Sequence, residues 1–254
     1  GVETSTKISV AWPHAITTKD EFVHVVYSEM QSSGSGTLSS LKVRTLNPST
    51  DAWTTVEIGT GSIAGPCTIL ELPSGRLLVL VNPTSQASIE SWYSDDRGAT
   101  WARAQSHSDS ASETYGIVAP DLGDVDAVIH YQAVYHAGYI TLIREVVDLT
   151  VSPERHEIDH YVSEDFGASW KLIERYQPEL GATTGSGTSI ADVYDPRLVV
   201  DLTGGVLLIY ADRSAHTATS RKLYYSRKIA PFAAFADHLE FGSRLAKEPD
   251  QVDT

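Results

Sequence analysis

Ser94-Asp95-Asp96-Arg97-Gly98-Ala99-Thr100-Trp101 and Ser163-Glu164-Asp165-Phe166-Gly167-Ala168-Ser169-Trp170 are two versions of one pattern, S-x-D-x-G-x-S/T-W. Each follows an alternating run, Ile89-Glu90-Ser91-Trp92-Tyr93 in the first case and His156-Glu157-Ile158-Asp159-His160-Tyr161-Val162 in the second. Alternation over this length predicts a strand. The pattern itself has the residues of a stiff hairpin turn. Asp96 and Asp165 can accept backbone N–H bonds within the turn. Gly98 and Gly167 can supply positive φ without a Cβ penalty. Thr100 and Ser169 carry hydroxyls that can close the loop, and Trp101 and Trp170 can bury a large ring between sheets. The pattern therefore reads as folding first and chemistry second. Calcium ligation by Asp95, Asp96 and Asp165 is the sharper alternative. The spacing lacks the long series of oxygen ligands of a dedicated calcium loop, so no metal and no cofactor is expected.

The rest of the chain repeats the same plan, and such repeats decide the architecture. Glu21–Tyr27 and Leu41–Leu46 read as paired strands, followed by Asn47-Pro48-Ser49-Thr50-Asp51-Ala52-Trp53, a degraded copy of the motif without its glycine; this first unit ends near Ile58. Thr68–Leu72 turns at Pro73-Ser74-Gly75 into Arg76–Val81, a hairpin signal, and the first complete motif follows. A third unit runs from Ala127 through Tyr139–Ile143 to the second motif. A fourth begins at Arg197, turns at Thr203-Gly204-Gly205 and continues through Lys222–Ser226, with Arg227–Pro231 where a motif would fall. Ser32–Gly36 and Gly185–Gly187 read as flexible loops.

The repeated motif resembles the Asp box of sialidases and other bacterial neuraminidase repeat proteins. That resemblance implies an all-β fold, a sialidase-like β-propeller of four-stranded antiparallel blades, of which about four are recognisable. Residues 1–246 read as a single propeller domain or part of a longer one, and 247–254 as a polar tail. Most sialidase-like propellers have more blades. The count leaves three readings: insertions that hide a blade, a fragment, or an open arc completed by an oligomeric neighbour.

The chain has 254 residues, 41% of them apolar, and a formal net charge of −14. This charge argues against nucleic acid or an anionic membrane as the main partner. It also repels an anionic sugar unless a local basic pocket overrides the field. The single Cys67 excludes an internal disulfide framework and sits in an apolar stretch, as a buried inert thiol does. No stretch reaches the continuous apolar length of a membrane helix, and no leader is visible at Gly1-Val2-Glu3.

Sialidases hold the substrate carboxylate with an arginine triad and use a Tyr–Glu nucleophile pair with an Asp acid/base. The family's Phe/Tyr-Arg-Ile-Pro motif is absent here; the nearest piece is Tyr194-Asp195-Pro196-Arg197-Leu198, in which the proline precedes the arginine. The resemblance makes Arg197, Asp192, Tyr194 and Arg213 the candidate catalytic residues, with Arg144 and Arg76 as further guanidinium groups for a carboxylate trap. Tyr115, Tyr131, Tyr135 and His136 are candidates for stacking on a sugar face. His156 and His160 lie in a strand-like run, which does not read as a metal site.

The resulting expectation is a non-catalytic propeller module for carbohydrate recognition or structural assembly. Its partners are a glycan, a protein or further copies of itself, and its setting is extracellular, cell-surface or virion-associated, such as a phage tail. An exo-glycosidase of sialidase type and a protein–protein scaffold are the alternatives.

Overall fold

The computed structural model describes residues 7–33, 36–60, 65–82, 90–103, 127–148, 155–176, 193–212, 222–228, 230 and 232–240. These residues form sixteen strands and no helix, arranged as a four-bladed β-propeller. Blade 1 is β1 (Lys7–Thr17), β2 (Val23–Ser33), β3 (Gly36–Asn47) and β4 (Ala52–Thr60). Blade 2 is β5 (Cys67–Glu71), β6 (Leu77–Val81), β7 (Glu90–Ser94) and β8 (Ala102–Arg103). Blade 3 is β9 (Ala127–His136), β10 (Tyr139–Asp148), β11 (Arg155–Ser163) and β12 (Lys171–Tyr176). Blade 4 is β13 (Val193–Val200), β14 (Val206–Asp212), β15 (Lys222–Lys228) and β16 (Ala236–Glu240). Every blade is an antiparallel sheet in simple chain order.

Both complete motifs lie on the turn between the third and fourth strands of a blade. In each, the serine hydroxyl accepts the glycine N–H at 2.8 Å and donates to the aspartate at 2.8 Å. Each aspartate then accepts the backbone N–H of Thr100 or Ser169 at 2.8 Å and its hydroxyl at 2.5 Å. These bonds hold Asp96 down at about 2, with the Thr100 hydroxyl as the largest cause. Burial pushes Asp165 the other way, but the Ser169 hydroxyl and amide outweigh it and its carboxyl is also lowered. Gly98 has φ +82° and Gly167 φ +91°. A Cβ on Gly98 would stand 3.0 Å from Thr45 Oγ1 and 3.3 Å from His24 Nδ1; one on Gly167 would stand 3.1 Å from Leu78 Cδ2. Those neighbours belong to the preceding blade. The glycine thus makes the turn and lets one blade seat against the next. The degraded copy turns without this packing, and Trp53 stays 43% exposed under Arg44.

The core consists of the seams between blades. Val26, Leu41, Val43, Ile69, Val79 and Val81 fill the first seam, against Trp12 and Trp101. Leu70, Leu78, Leu80, Ile140, Leu142 and Tyr161 fill the second, against Trp170. Ile143, Ile158, Leu198, Leu208, Tyr210 and Phe235 fill the third. Each such side chain contributes roughly 1.5–3 kcal/mol by leaving water. Blades 2 and 3 are covered on both faces, which is why β6 reads Leu-Leu-Val-Leu-Val and is buried throughout.

Blade 3 also buries charge. Arg144 and Asp159 are fully buried and paired at 2.8 Å, with Arg175 closing on the same carboxylate at 2.7 Å. On the opposite face, His160 contacts Glu174 at 3.1 Å and Lys228 of blade 4 at 2.6 Å.

The innermost strands are stitched by side chains. His14 Nδ1 accepts the Ile69 N–H at 3.2 Å, Thr68 Oγ1 accepts the Ala133 N–H at 3.4 Å, and Gln132 Oε1 accepts the Leu198 N–H at 2.8 Å. Gln132 Nε2 returns a bond to the Leu198 carbonyl at 3.2 Å. Packing runs from β1 to β5, β9 and β13, and among the described residues β13 makes no comparable packing with β1.

Two sequence expectations are corrected. Ser32, Ser33 and Gly36 are strand residues, because β2 runs to Ser33 and β3 starts at Gly36, while 34–35 lie outside the described residues. The first blade has a strand, β1, ahead of the first one read, where Pro13 and a register shift between Ala11 and His14 interrupt the alternation. The fourth blade closes with β16 although no motif precedes it. The tail 247–254 and Gly185–Gly187 lie outside the described residues.

Candidate functional site

The four innermost strands surround an axial cavity of about 270 Å³. Strand β1 contributes Trp12, Pro13 and His14; Pro66 and Cys67 come from the start of β5; His130, Tyr131 and Gln132 come from β9; Arg197 comes from β13. Two of these strands are bent where they meet the cavity. The register of β1 shifts between Ala11 and His14 and that of β13 between Tyr194 and Arg197, each around a proline. Proline removes a ladder donor and favours such bulges. Trp12 carries φ +50°, a costly conformation for a bulky residue. Strain of this kind is concentrated at ligand sites.

Electrostatically the wall is cationic. Arg197 is exposed, meets the His130 imidazole and donates to the Pro196 carbonyl at 3.2 Å. Burial, helped by the Arg197 charge, holds His14 below the usual imidazole range, so His14 is a neutral acceptor at pH 7. Tyr131 is 4% exposed and its hydroxyl has no hydrogen-bond partner among the described residues; burial raises its phenol well above the ordinary value. Burial likewise pushes the Cys67 thiol up to about 12, so Cys67 is no nucleophile there. The wall can therefore donate through a fixed guanidinium, accept or donate through imidazole and amide, and present an indole edge or face to a ring. Among the described lining residues none is Asp or Glu.

Of the candidate residues singled out from sequence, Arg197 and Tyr131 are at this cavity. Tyr194 lies in β13 a few residues earlier, and Asp192, Arg213 and Tyr115 lie outside the described residues. The further guanidinium groups do not converge on Arg197. Arg144 is sealed between blades 2 and 3, and Arg76 pairs with Asp95 at 2.6 Å on the surface. Tyr131, Tyr135 and His136 lie in β9, not on a loop. Tyr135 stacks on Phe166 at 6.3 Å, and His136 is buried against Thr141 at 2.9 Å. Sequence reading missed Trp12, His14, His130 and Gln132. A usable signal was present in Trp12-Pro13-His14 and Asp195-Pro196-Arg197, where a polar side chain follows proline within a strand. His156 pairs with Glu145 at 2.7 Å, and among the described residues no cluster of three metal-ligating side chains occurs.

The fold is a β-propeller, and it is similar to solved propellers of glycoside hydrolases. An α-L-arabinanase of Penicillium chrysogenum, solved with arabinobiose, matches with a TM-score of 0.61 at 16% identity, over 91% of this chain and 66% of that one. An α-L-arabinofuranosidase of Fusarium graminearum, solved with an iminosugar inhibitor, matches with a TM-score of 0.59 at 14% identity and the same coverage. A family 117 glycoside hydrolase of Zobellia galactanivorans matches with a TM-score of 0.54 at 11% identity, over 86% of this chain and 66% of that one. The chain thus spans just under two thirds of the length of these structures. At such identities the likeness is one of fold. No protein-family model matches the sequence, and none of the curated proteins matches it.

Proposed function

We propose that this propeller recognises a carbohydrate in its axial cavity and does not hydrolyse it. The observation that carries the reading is the convergence of Trp12, His14, His130, Gln132 and Arg197 on one cavity whose described wall has no carboxyl group. Glycoside hydrolysis by the common routes needs two carboxyl groups, roughly 5–10 Å apart, across the scissile bond. Sugar binding needs an apolar surface for a ring and a few fixed polar groups, and these are present. The cationic Arg197 also supplies the local exception to a net charge of −14, which favours a sugar bearing a carboxylate over a neutral one. Two of the solved structures similar in fold hold arabinobiose, which supports a carbohydrate ligand. On this reading the two S-x-D-x-G-x-S/T-W turns are Asp boxes with a purely structural part. The natural setting is a cell surface, a secreted protein or a virion.

The second reading is an exo-glycosidase, favoured by the glycoside hydrolases among the neighbours. One experiment separates the two. The chain is titrated calorimetrically with arabinobiose, a galacturonate oligosaccharide and sialyllactose, and the same mixtures are assayed for released sugar. Binding without release supports recognition. Release abolished by removing a carboxylate supports hydrolysis. Neither binding nor release from any of the three overturns both.

A further inference from the structure

The polar side chains that line the axial cavity have spent their acceptors on holding the blades together. Gln132 is closed on Leu198 of β13 at both ends, with Oε1 accepting the N–H at 2.8 Å and Nε2 donating to the carbonyl at 3.2 Å. The His130 imidazole takes an Arg197 N–H. His14 Nδ1 accepts the Ile69 N–H at 3.2 Å, and Thr68 Oγ1 stands 3.4 Å from the same nitrogen. Thr68 Oγ1 already accepts the Ala133 N–H at 3.4 Å, so its own proton can point at His14.

A backbone N–H can only donate, so His14 must present a lone pair to Ile69 at Nδ1. A neutral imidazole carries one N–H, and the bond made at one nitrogen fixes the proton on the other. The seam between blades 1 and 2 thus locks His14 as the Nε2–H tautomer. Burial, with the Arg197 charge adding to it, opposes a second proton. Nε2 has no partner among the described residues, and half-buried His14 lines the cavity. Arg197 is committed through Nη1 alone, to His130 and to the Pro196 carbonyl, which leaves Nε and Nη2. What the lining side chains still offer a ligand is dominated by donors. A buried sugar hydroxyl must donate as well as accept, whereas an unprotonated oxyanion only accepts.

We propose that His14 sets the specificity of the cavity, its locked Nε2–H and the Arg197 guanidinium donating together to one oxyanion of the ligand, a carboxylate or a sulfate ester on a sugar. A neutral sugar in the same place leaves a hydroxyl proton without an acceptor and is bound more weakly. The site is not a trap of converging arginines, because Arg144 and Arg76 are held elsewhere by Asp159 and Asp95. The second donor is the imidazole, and the blade seam behind it sets which of its nitrogens faces the ligand. This role rests on the carbohydrate reading and narrows it to one residue and one class of sugar.

The test is calorimetric titration of the full chain at about pH 7.5 with a galacturonate oligosaccharide, sialyllactose, a sulfated galactose disaccharide and arabinobiose. At least one anionic sugar should bind about tenfold or more tightly than arabinobiose, and which one it is separates carboxylate from sulfate. His14→Asn keeps an acceptor for Ile69 and removes the donor at Nε2. It should lose roughly 10–100-fold in affinity for that anionic sugar, the worth of a hydrogen bond to a charged group, and leave any arabinobiose binding within about twofold. His14→Gln returns an amide N–H near the Nε2 position and should recover part of the loss. Nitrogen NMR of the imidazoles in the parent chain needs no variant: His14 should show a protonated Nε2 and a bare Nδ1, and Nε2 should shift when the anionic sugar binds. An Nδ1–H tautomer, or an Nε2 unmoved by a bound anionic sugar, overturns the role. So does a folded His14→Asn chain that binds the anionic sugar as the parent does, or that loses anionic and neutral sugars equally. Binding of arabinobiose without any anionic sugar overturns the role and leaves the carbohydrate reading standing, whereas binding of none of the four overturns both.

Discussion

Gly75 and Gly98 have nearly the same backbone, φ +84° and +82°, and very different surroundings. Nothing lies within 4 Å of a Cβ built on Gly75, whereas one on Gly98 meets Thr45 Oγ1 at 3.0 Å and His24 Nδ1 at 3.3 Å. Thr45 and His24 are themselves bonded at 2.9 Å and buried, so neither can swing aside without breaking that bond. Alanine in the left-handed region costs roughly 1–2 kcal/mol, and Gly75→Ala should lose only that. Gly98→Ala adds overpacking of a blade seam, typically about 1–3 kcal/mol, for a total of roughly 2–5 kcal/mol. For a chain of this size each 1 kcal/mol shifts the melting temperature by about 2–4 °C. Urea unfolding of the two variants beside the parent measures the difference directly. Equal losses would refute the argument that the box glycine seats one blade on another, and would leave the turn conformation as its sole role.

Lys228 is buried at the blade 3–4 seam and held down at about 7 by burial, while burial, with the Lys228 charge adding to it, lowers His160 to about 4. The unfolded chain binds more protons than the folded one from about pH 4 to 6.5 through His160 and from about 7 to 10.5 through Lys228, so stability should rise with pH across both windows. Lys228→Met should flatten the upper window in melting curves. Arg144→Met leaves Asp159 buried with only the partly exposed Arg175 as a cationic partner, and should cost about 3–5 kcal/mol in chemical denaturation. Cys67, buried with its thiol near 12, should resist iodoacetamide at pH 8 until the chain is unfolded, as mass spectrometry would show.

The turns and apolar hairpins were readable because their chemistry is local. Ser94, Asp96, Gly98 and Thr100 satisfy one another within a few residues, and β5–β6 is apolar because both of its faces are covered. Blade 3 misled for the converse reason. Arg144 reads as a guanidinium for a carboxylate trap, and Glu157 and Asp159 as members of an alternating strand, yet all three are buried because the ion pairs they form lie across neighbouring strands. Strand β1 was lost because Pro13 and a bulge break its alternation. The cavity is the least local feature. Trp12, His130 and Arg197 come from three blades, and only closure of the seams brings them together.

The most direct test of the account is a crystal structure of the chain soaked with the tightest-binding oligosaccharide of the three above. A sugar ring in the axial cavity, against Trp12 and within hydrogen-bond reach of His130 or Arg197, is the predicted result. A ring bound elsewhere on the propeller, with the axial cavity holding only solvent, would contradict it.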